Sequence, residues 1–326
     1  MEAIHAGLDQ GKPNTKTHPI NLTKTNMLIV IPTSVSDRHL IPSFLASVQR
    51  AGNIKNHDVV VLTTPSAAIE AGQLAGEMSN FASSSKVVQL KAELFHGWPF
   101  APNAHFCEAV NWVAENKIQS HWYWMELDCT ALKPGWADAL DQEYRESRKM
   151  FMGAVVPTIK IRRPNTPQAE PFQQGTHMVG TGIYPPIMPH WCIGWRTSKM
   201  RPNGPNDIQD EDTPFDVTMG YETMQSLHDT KLIQHQFRTV NYHMDGDYIV
   251  GEDQAPLLGV SFTGRVSEDA VVHHGCKDGS LSKLLCSMDE KEETKKDDDT
   301  TEIIQPKKSG RKPLPKTQDI ILEPDL

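Results

Sequence analysis

The sequence predicts an α/β fold: a Rossmann-like, mostly parallel central sheet with helices on both faces. Three observations carry this expectation. Short, continuous apolar runs, such as residues 27–31, suit strands buried on both faces. Apolar residues at helical spacing follow those runs. The order strand, helix, strand, helix, strand, helix, strand then repeats across residues 27–127, which is the grammar of a parallel sheet covered on two sides.

The elements follow in chain order. The run 27–31 ends at Pro32. Ile41, Phe44, Leu45 and Val48 then recur at i, i+3, i+4 and i+7, with Gly52 as the stop signal. Residues 58–64 read as the second strand, 66–82 as a helix and 87–90 as the third strand. Phe106, Ala109, Val110 and Val113 mark another helix, and the aromatic-rich segment 121–127 the fourth strand. Trp136, Leu140 and Tyr144 start a further helix, and 151–156 is an apolar strand. Residues 160–176 read as a loop or flap, 178–185 as a small-residue turn leading into a strand, and 196–214 as a long loop of the kind that orders over a substrate. Val217, Tyr221, Met224 and Leu227 share one helix face behind Asp216, and 228–238 alternates like a strand.

Composition narrows the class. The 326 residues carry a formal net charge of -9, which excludes a generic basic nucleic-acid coat. The polar N-terminal arm, residues 1–26, lacks the apolar block of a signal peptide. No run near the start approaches the ~20 apolar residues of a membrane span. Five cysteines without a Cys-x-x-Cys pair argue against a disulfide scaffold or zinc ribbon, so a cytoplasmic setting is expected. Residues 288–326 hold 8 basic and 11 acidic residues with few apolar ones, and read as a disordered charged tail. The catalytic domain is therefore expected over residues 27–287.

The sharpest chemical signal is Glu126 and Asp128 at the end of the aromatic strand. In a strand, i and i+2 share a face. Ligands of parallel sheets bind beyond the carboxyl ends of strands. Two adjacent carboxylates repel each other, and a hard divalent cation beside a diphosphate resolves that repulsion. The alternative is a pair of surface carboxylates.

The acid-x-acid pair, followed by a turn holding Pro134, Gly135 and Trp136, resembles the metal-binding motif of nucleotide-sugar glycosyltransferases with the type A fold. That motif is usually Asp-x-Asp; here Glu126 takes the first position. The resemblance implies Asp128 as a metal ligand, with Glu126 on the metal or on the donor's ribose or sugar. Pro32, Thr33, Ser34 and Asp37 are similar to the family's first strand and donor-base loop. Asn103 matches a position that opens a helix beside the nucleotide, although an N-cap would place an Asn there equally well. His274, with His273 in reserve, matches a late metal ligand, and Lys277 a lysine that grips the diphosphate. Gly180 and Gly182 match a glycine-rich piece beneath the sugar. Asp216 and Glu222 are the candidates for a general base in an inverting enzyme; Asp216 serves equally as a helix cap.

The resemblance thus implies Mn²⁺ or Mg²⁺ as cofactor and a nucleoside-diphosphate sugar, a uridine one above all, as donor. The basic segment 307–316 and the spacing of the motifs resemble bacteriophage-encoded glycosyltransferases, whose acceptors include hydroxymethylated pyrimidines of DNA. Two other readings stand beside this one. A sugar-nucleotide nucleotidyltransferase shares the sheet plan, but the loop after Pro32 lacks its glycine-rich phosphate cradle. A non-catalytic scaffold of the same fold would bind glycan or DNA without turnover.

Overall fold

The structure is a computed structural model of the chain. It describes residues 26–90, 100–156, 159–161, 172–174, 176–188, 215–235, 243–245, 248–250 and 266–299. Its first half alternates as expected: β1 (Leu28–Thr33), α1 (Ile41–Arg50), β2 (Ile54–Thr63), α2 (Ala68–Met78), β3 (Ala82–Gln89), α3 (Phe100–Glu115) and β4 (Trp122–Trp124). A short β5 (Thr130–Ala131) leads into α4 (Trp136–Ser147) and β6 (Phe151–Val156). The strands β7 (Ile159–Ile161), β8 (Phe172–Gln174) and β9 (His177–Tyr184) come next. Two short helices, α5 (Phe215–Thr218) and α6 (Gly220–Met224), precede β10 (Leu227–Asp229) and β11 (Ile233–His235). A two-stranded ribbon of β12 (His243–Asp245) and β13 (Tyr248–Val250) follows, then β14 (Val272–His274) and α7 (Ser280–Asp299).

Among the described residues, the central sheet has seven strands in the order β10-β6-β9-β4-β1-β2-β3. The run β4-β1-β2-β3 is wholly parallel, and β6 pairs parallel with β10. Only β9 opposes its neighbours, β4 and β6. A second, three-stranded sheet has the order β11-β14-β5.

The apolar run of β1 explains why the sheet is central. Its side chains alternate between two cores, one on each face. Ile29 and Ile31 pack with Phe44, Val48, Leu74, Trp136 and Leu140 from α1, α2 and α4. Leu28 and Val30 pack with Phe106, Val110 and Val113 from α3 and with Trp122 and Trp124. Phe106 stacks on Phe215, with ring centroids 3.9 Å apart, and so seats α5 on the α3 face. Gly52 closes α1 with a φ of +85°, the conformation that makes Gly a helix stop.

Several sequence expectations need correction. Regular pairing of the fourth strand ends at Trp124, not Leu127; the chain then turns, closed by Cys129 N–H donating to the Glu126 carbonyl at 3.0 Å. Residues 178–185 form no turn: β9 is a continuous strand, buried along its length. The segment 160–176 contains the antiparallel pair β7 and β8. Of the stretch 228–238, the described residues to 235 hold a strand where alternation begins, β11, and before it the end of a second one, β10. Thr230 lies between them, its Oγ1 accepting the Leu232 N–H at 2.9 Å, and carries the chain from the large sheet to the small one. Ile69, an apolar residue of α2, is 76% exposed. The final helix runs through residue 287 to Asp299. Arg50 ties it down by donating from Nε and Nη2 to Asp289 at 2.7 and 3.2 Å. The loop at 196–214 and the tail from residue 300 lie outside the described residues.

Candidate functional site

Four charged side chains meet where the two sheets adjoin. Glu126 and Asp128 lie on the turn between β4 and β5. His274 ends β14, which pairs antiparallel with β5, His273 opposite Thr130. This pairing carries His274 to the acids from a distant part of the chain. His274 Nε2 lies 3.3 Å from Glu126 Oε2 and 3.4 Å from Asp128 Oδ1. Lys277 follows a turn that Gly275 (φ +105°) makes feasible. Its Nζ lies 2.6 Å from Asp128 Oδ2 and 3.9 Å from Glu126 Oε2. Trp124 donates its indole N–H to the other Glu126 oxygen, Oε1, at 3.2 Å. The i, i+2 parity of a strand is therefore not what brings the acids together; the turn after Trp124 is.

Burial and charge oppose each other here. Burial disfavours the Asp128 carboxylate, but Lys277 and His274 outweigh it and hold its pKa far below the usual range. Burial likewise works against ionised Glu126, and the hydrogen bond and charge of His274 overcome it, lowering its pKa. Burial alone would neutralise His274; the charge of Asp128, with contacts to both acids, instead lifts its pKa to about 9. His273 points to the other face, fully buried, and burial pushes its pKa down to about 3. Burial, with the neighbouring His274 and His273, keeps His235 neutral.

The acids open on a cleft of about 720 Å³. Pro32, Ser34 and Asp37 line it from the end of β1, Thr64 and Ser66 from the end of β2, and His105 from α3. Ser34 donates to Asp37 Oδ2 at 2.6 Å, which shapes the loop. Thr33 departs from expectation: its side chain is fully buried beneath the loop and does not line the cleft. Asn103 also differs. It sits inside α3 rather than opening it, and its Oδ1 accepts the Phe215 N–H at 2.7 Å, capping α5 instead of facing the cleft. Asp216 lies within α5 rather than before it; its Oδ2 accepts the Gly180 N–H at 3.0 Å. Gly180 is itself a neighbour of Glu126: a Cβ there would lie 3.3 Å from Glu126 Oε1. Glu222 belongs to α6, and its side chain lies outside the described residues.

The residues that the sequence reading missed are Thr64, Ser66, His105, Trp124 and His235. The first two sit beyond the end of a parallel strand, so the rule that placed Ser34 could have found them. His105 reads only as part of a helix start, and Trp124 only as part of the aromatic strand before the acids. His235 carried no signal, because its strand is three residues long.

Glu126, Asp128 and His274 each offer a ligand atom, all within 4.8 Å of one another. Two hard carboxylates with one imidazole suit Mn²⁺ and tolerate Mg²⁺. The buried Asp128 also fits such an ion. Neither of its oxygens has a hydrogen bond of good geometry among the described residues; two cationic side chains are its close neighbours.

No family model matches the chain, and no curated protein does. Among solved structures it is similar to the glycosyltransferase GlyE of Streptococcus pneumoniae TIGR4. That match has 9% identity and a TM-score of 0.38, over 66% of this chain and 47% of the other. It is also similar to TarS residues 1–349 of S. aureus, with 14% identity and a TM-score of 0.31, over 49% of this chain and 47% of the other. The chain spans about half the length of both. No helix among the described residues is long and apolar enough to cross a membrane.

Proposed function

We propose that the chain is a metal-dependent glycosyltransferase that moves a sugar from a nucleoside-diphosphate sugar, a uridine nucleotide above all, to an acceptor hydroxyl. The observation that carries this reading is the convergence of Glu126, Asp128, His274 and Lys277, of which Glu126, Asp128 and Lys277 line the cleft beyond the ends of β1 and β2. That is where an open α/β sheet binds ligands.

In this reading Asp128, Glu126 and His274 hold Mn²⁺ or Mg²⁺. The ion, when bound, neutralises charge on the diphosphate oxygens as the nucleoside diphosphate leaves. Lys277 adds a point charge to the same leaving group from the cleft wall. Ser34, Asp37, Thr64 and Ser66 offer hydrogen-bonding groups to the nucleoside at the far side. Trp124 fixes the orientation of Glu126 through its indole N–H. Asp216, whose Oδ2 accepts the Gly180 N–H beside Glu126, is in this reading a candidate general base for an inverting reaction, with Glu222 the other candidate. The acceptor we propose to test first is a hydroxymethylated pyrimidine in DNA, as the bacteriophage resemblance implies.

The test is a thermal-shift panel of nucleotide sugars with and without Mn²⁺, followed by product analysis. Stabilisation that needs both donor and metal is the expected result, because ligands that bind only the native state raise its melting point. Slow release of nucleoside diphosphate should accompany it. Release of pyrophosphate would instead assign a nucleotidyltransferase, and binding without turnover a scaffold.

A further inference from the structure

We infer that His235 is a positioning residue for His274. The inference rests on the metal site proposed above and names a residue outside it. His235 and His274 are register partners on the adjacent parallel strands β11 and β14, so their side chains leave the small sheet on the same face. Their rings meet edge to face, with centroids 4.9 Å apart and planes at 69°, a favoured arrangement for aromatic pairs. Both residues are buried.

The need for such a contact is visible at His274 itself. A metal-binding imidazole normally donates its other ring N–H to a carbonyl or carboxylate, and that bond fixes the ring. Here His274 Nδ1 is buried and has no hydrogen-bond partner among the described residues. The contacts of Nε2 with Glu126 and Asp128 hold one side of the ring; at the Nδ1 side no polar partner among the described residues completes the hold. The edge-to-face wall of His235 does so by packing. It holds Nε2 toward the acids on the far side of the ring. The strand register reinforces this, since β11 cannot slip by one residue without turning His235 to the opposite face.

The experiment compares wild type, His235→Ala and His235→Phe. Phe keeps an aromatic wall and Ala removes it. Near-UV circular dichroism first selects variants that fold. Mn²⁺ binding is then measured by titration calorimetry and by the Mn²⁺ electron paramagnetic resonance signal, without any sugar donor. His235→Ala is expected to weaken Mn²⁺ binding about 10-fold, the lower end for losing an orienting partner, while His235→Phe stays within about threefold of wild type. A folded His235→Ala that binds as wild type overturns the inference. So does His235→Phe failing as badly as Ala, which would assign the effect to polar atoms of His235 rather than to packing.

Imidazole ¹⁵N–¹H spectra, recorded without metal, test the contact independently. One sharp set of His274 signals is expected in wild type and His235→Phe, and broadened or doubled signals in His235→Ala. An unchanged His274 in His235→Ala overturns the inference whatever the metal does. If wild type binds no Mn²⁺ but the spectra change as expected, the metal reading falls and the positioning role stands.

Discussion

Lys277 Nζ stands 2.6 Å from Asp128 Oδ2, and the two belong to segments that the pairing of β14 with β5 brings together. The ammonium and the carboxylate hold the centre of the cluster, so removing the carboxylate charge is the most direct perturbation. Asp128→Asn should abolish Mn²⁺-dependent stabilisation by the donor and lower kcat/KM at least 10³-fold, about 4 kcal/mol of transition-state stabilisation. Lys277 is half exposed and can turn to water, so the cost in folding stability should stay near 1 kcal/mol. An unchanged, donor-dependent thermal shift in this variant would refute the assignment of Asp128.

Gly180→Ala probes the other side of Glu126. The new Cβ would lie 2.9 Å from Phe215 Cζ and 3.3 Å from Glu126 Oε1. Phe215 stacks on Phe106 and has little freedom to yield. We expect a loss of about 1–3 kcal/mol from overpacking, seen in urea denaturation, and a fall of about 10-fold in donor affinity. Wild-type donor affinity in Gly180→Ala would show that Glu126 does not feel this strand.

The pH dependence of stability is best tested away from the Glu126–Asp128–His274 cluster, at Asp141. Burial raises the pKa of this carboxyl, but hydrogen bonds from His121 and Arg145 outweigh it and leave it lowered. His121 Nε2 lies 2.6 Å from its Oδ1. A depressed carboxylate stabilises the fold above its unfolded pKa of ~3.9 and loses that contribution as pH falls through the folded value. Asp141→Asn should therefore cost about 1–2 kcal/mol at pH 6, and the difference from wild type should shrink progressively as pH falls below ~3.9. Denaturant titrations across this range measure it; a constant difference would show that ionisation of Asp141 is not the source.

Arg50 joins three elements: it extends from α1, donates to the Leu132 carbonyl at 2.7 Å and grips Asp289 of α7. Arg50→Ala should speed hydrogen exchange in residues 280–289 by about tenfold, since α7 loses a charged anchor of about 1–2 kcal/mol. Exchange in β1 and β2 should not change. Equal exchange in α7 would show that its apolar contacts suffice.

Much of the fold was legible because burial on both sheet faces writes long apolar runs. Residues 27–31 and 58–64 carry that signature, and the first four strands lie close to where they were expected. The first half of β3 was not legible: Ser83 and Ser84 lie exposed on an edge strand and Ser85 is a third polar residue, so no hydrophobic pattern marks them. At the site, the two acids and the His-Gly-Cys-Lys segment were legible as residue types. Their mode of convergence was not, because a turn after Trp124 and a three-stranded sheet of very short strands set it. Pairing between segments so far apart leaves no local periodicity. His235 shows this best: its side chain acquires meaning only through register with His274. Asn103 and Asp216 do not cap their own helices for a related reason: Asn103 caps α5 instead, and Asp216 accepts the Gly180 N–H of β9.

The distance along the chain between Glu126 and His274, 148 residues, has a consequence for how the protein is made. A nascent chain can complete the parallel wall of β1, β2, β3 and β4 long before β14 leaves the ribosome. The cluster of Glu126, Asp128, His274 and Lys277 cannot exist until that late strand takes its place between β5 and β11. Long-range pairing of this kind is slow, because loop closure is paid before contacts reward it. Acquisition of Mn²⁺ affinity during refolding should therefore lag behind recovery of tryptophan fluorescence, making the cluster a clock for the final step of assembly.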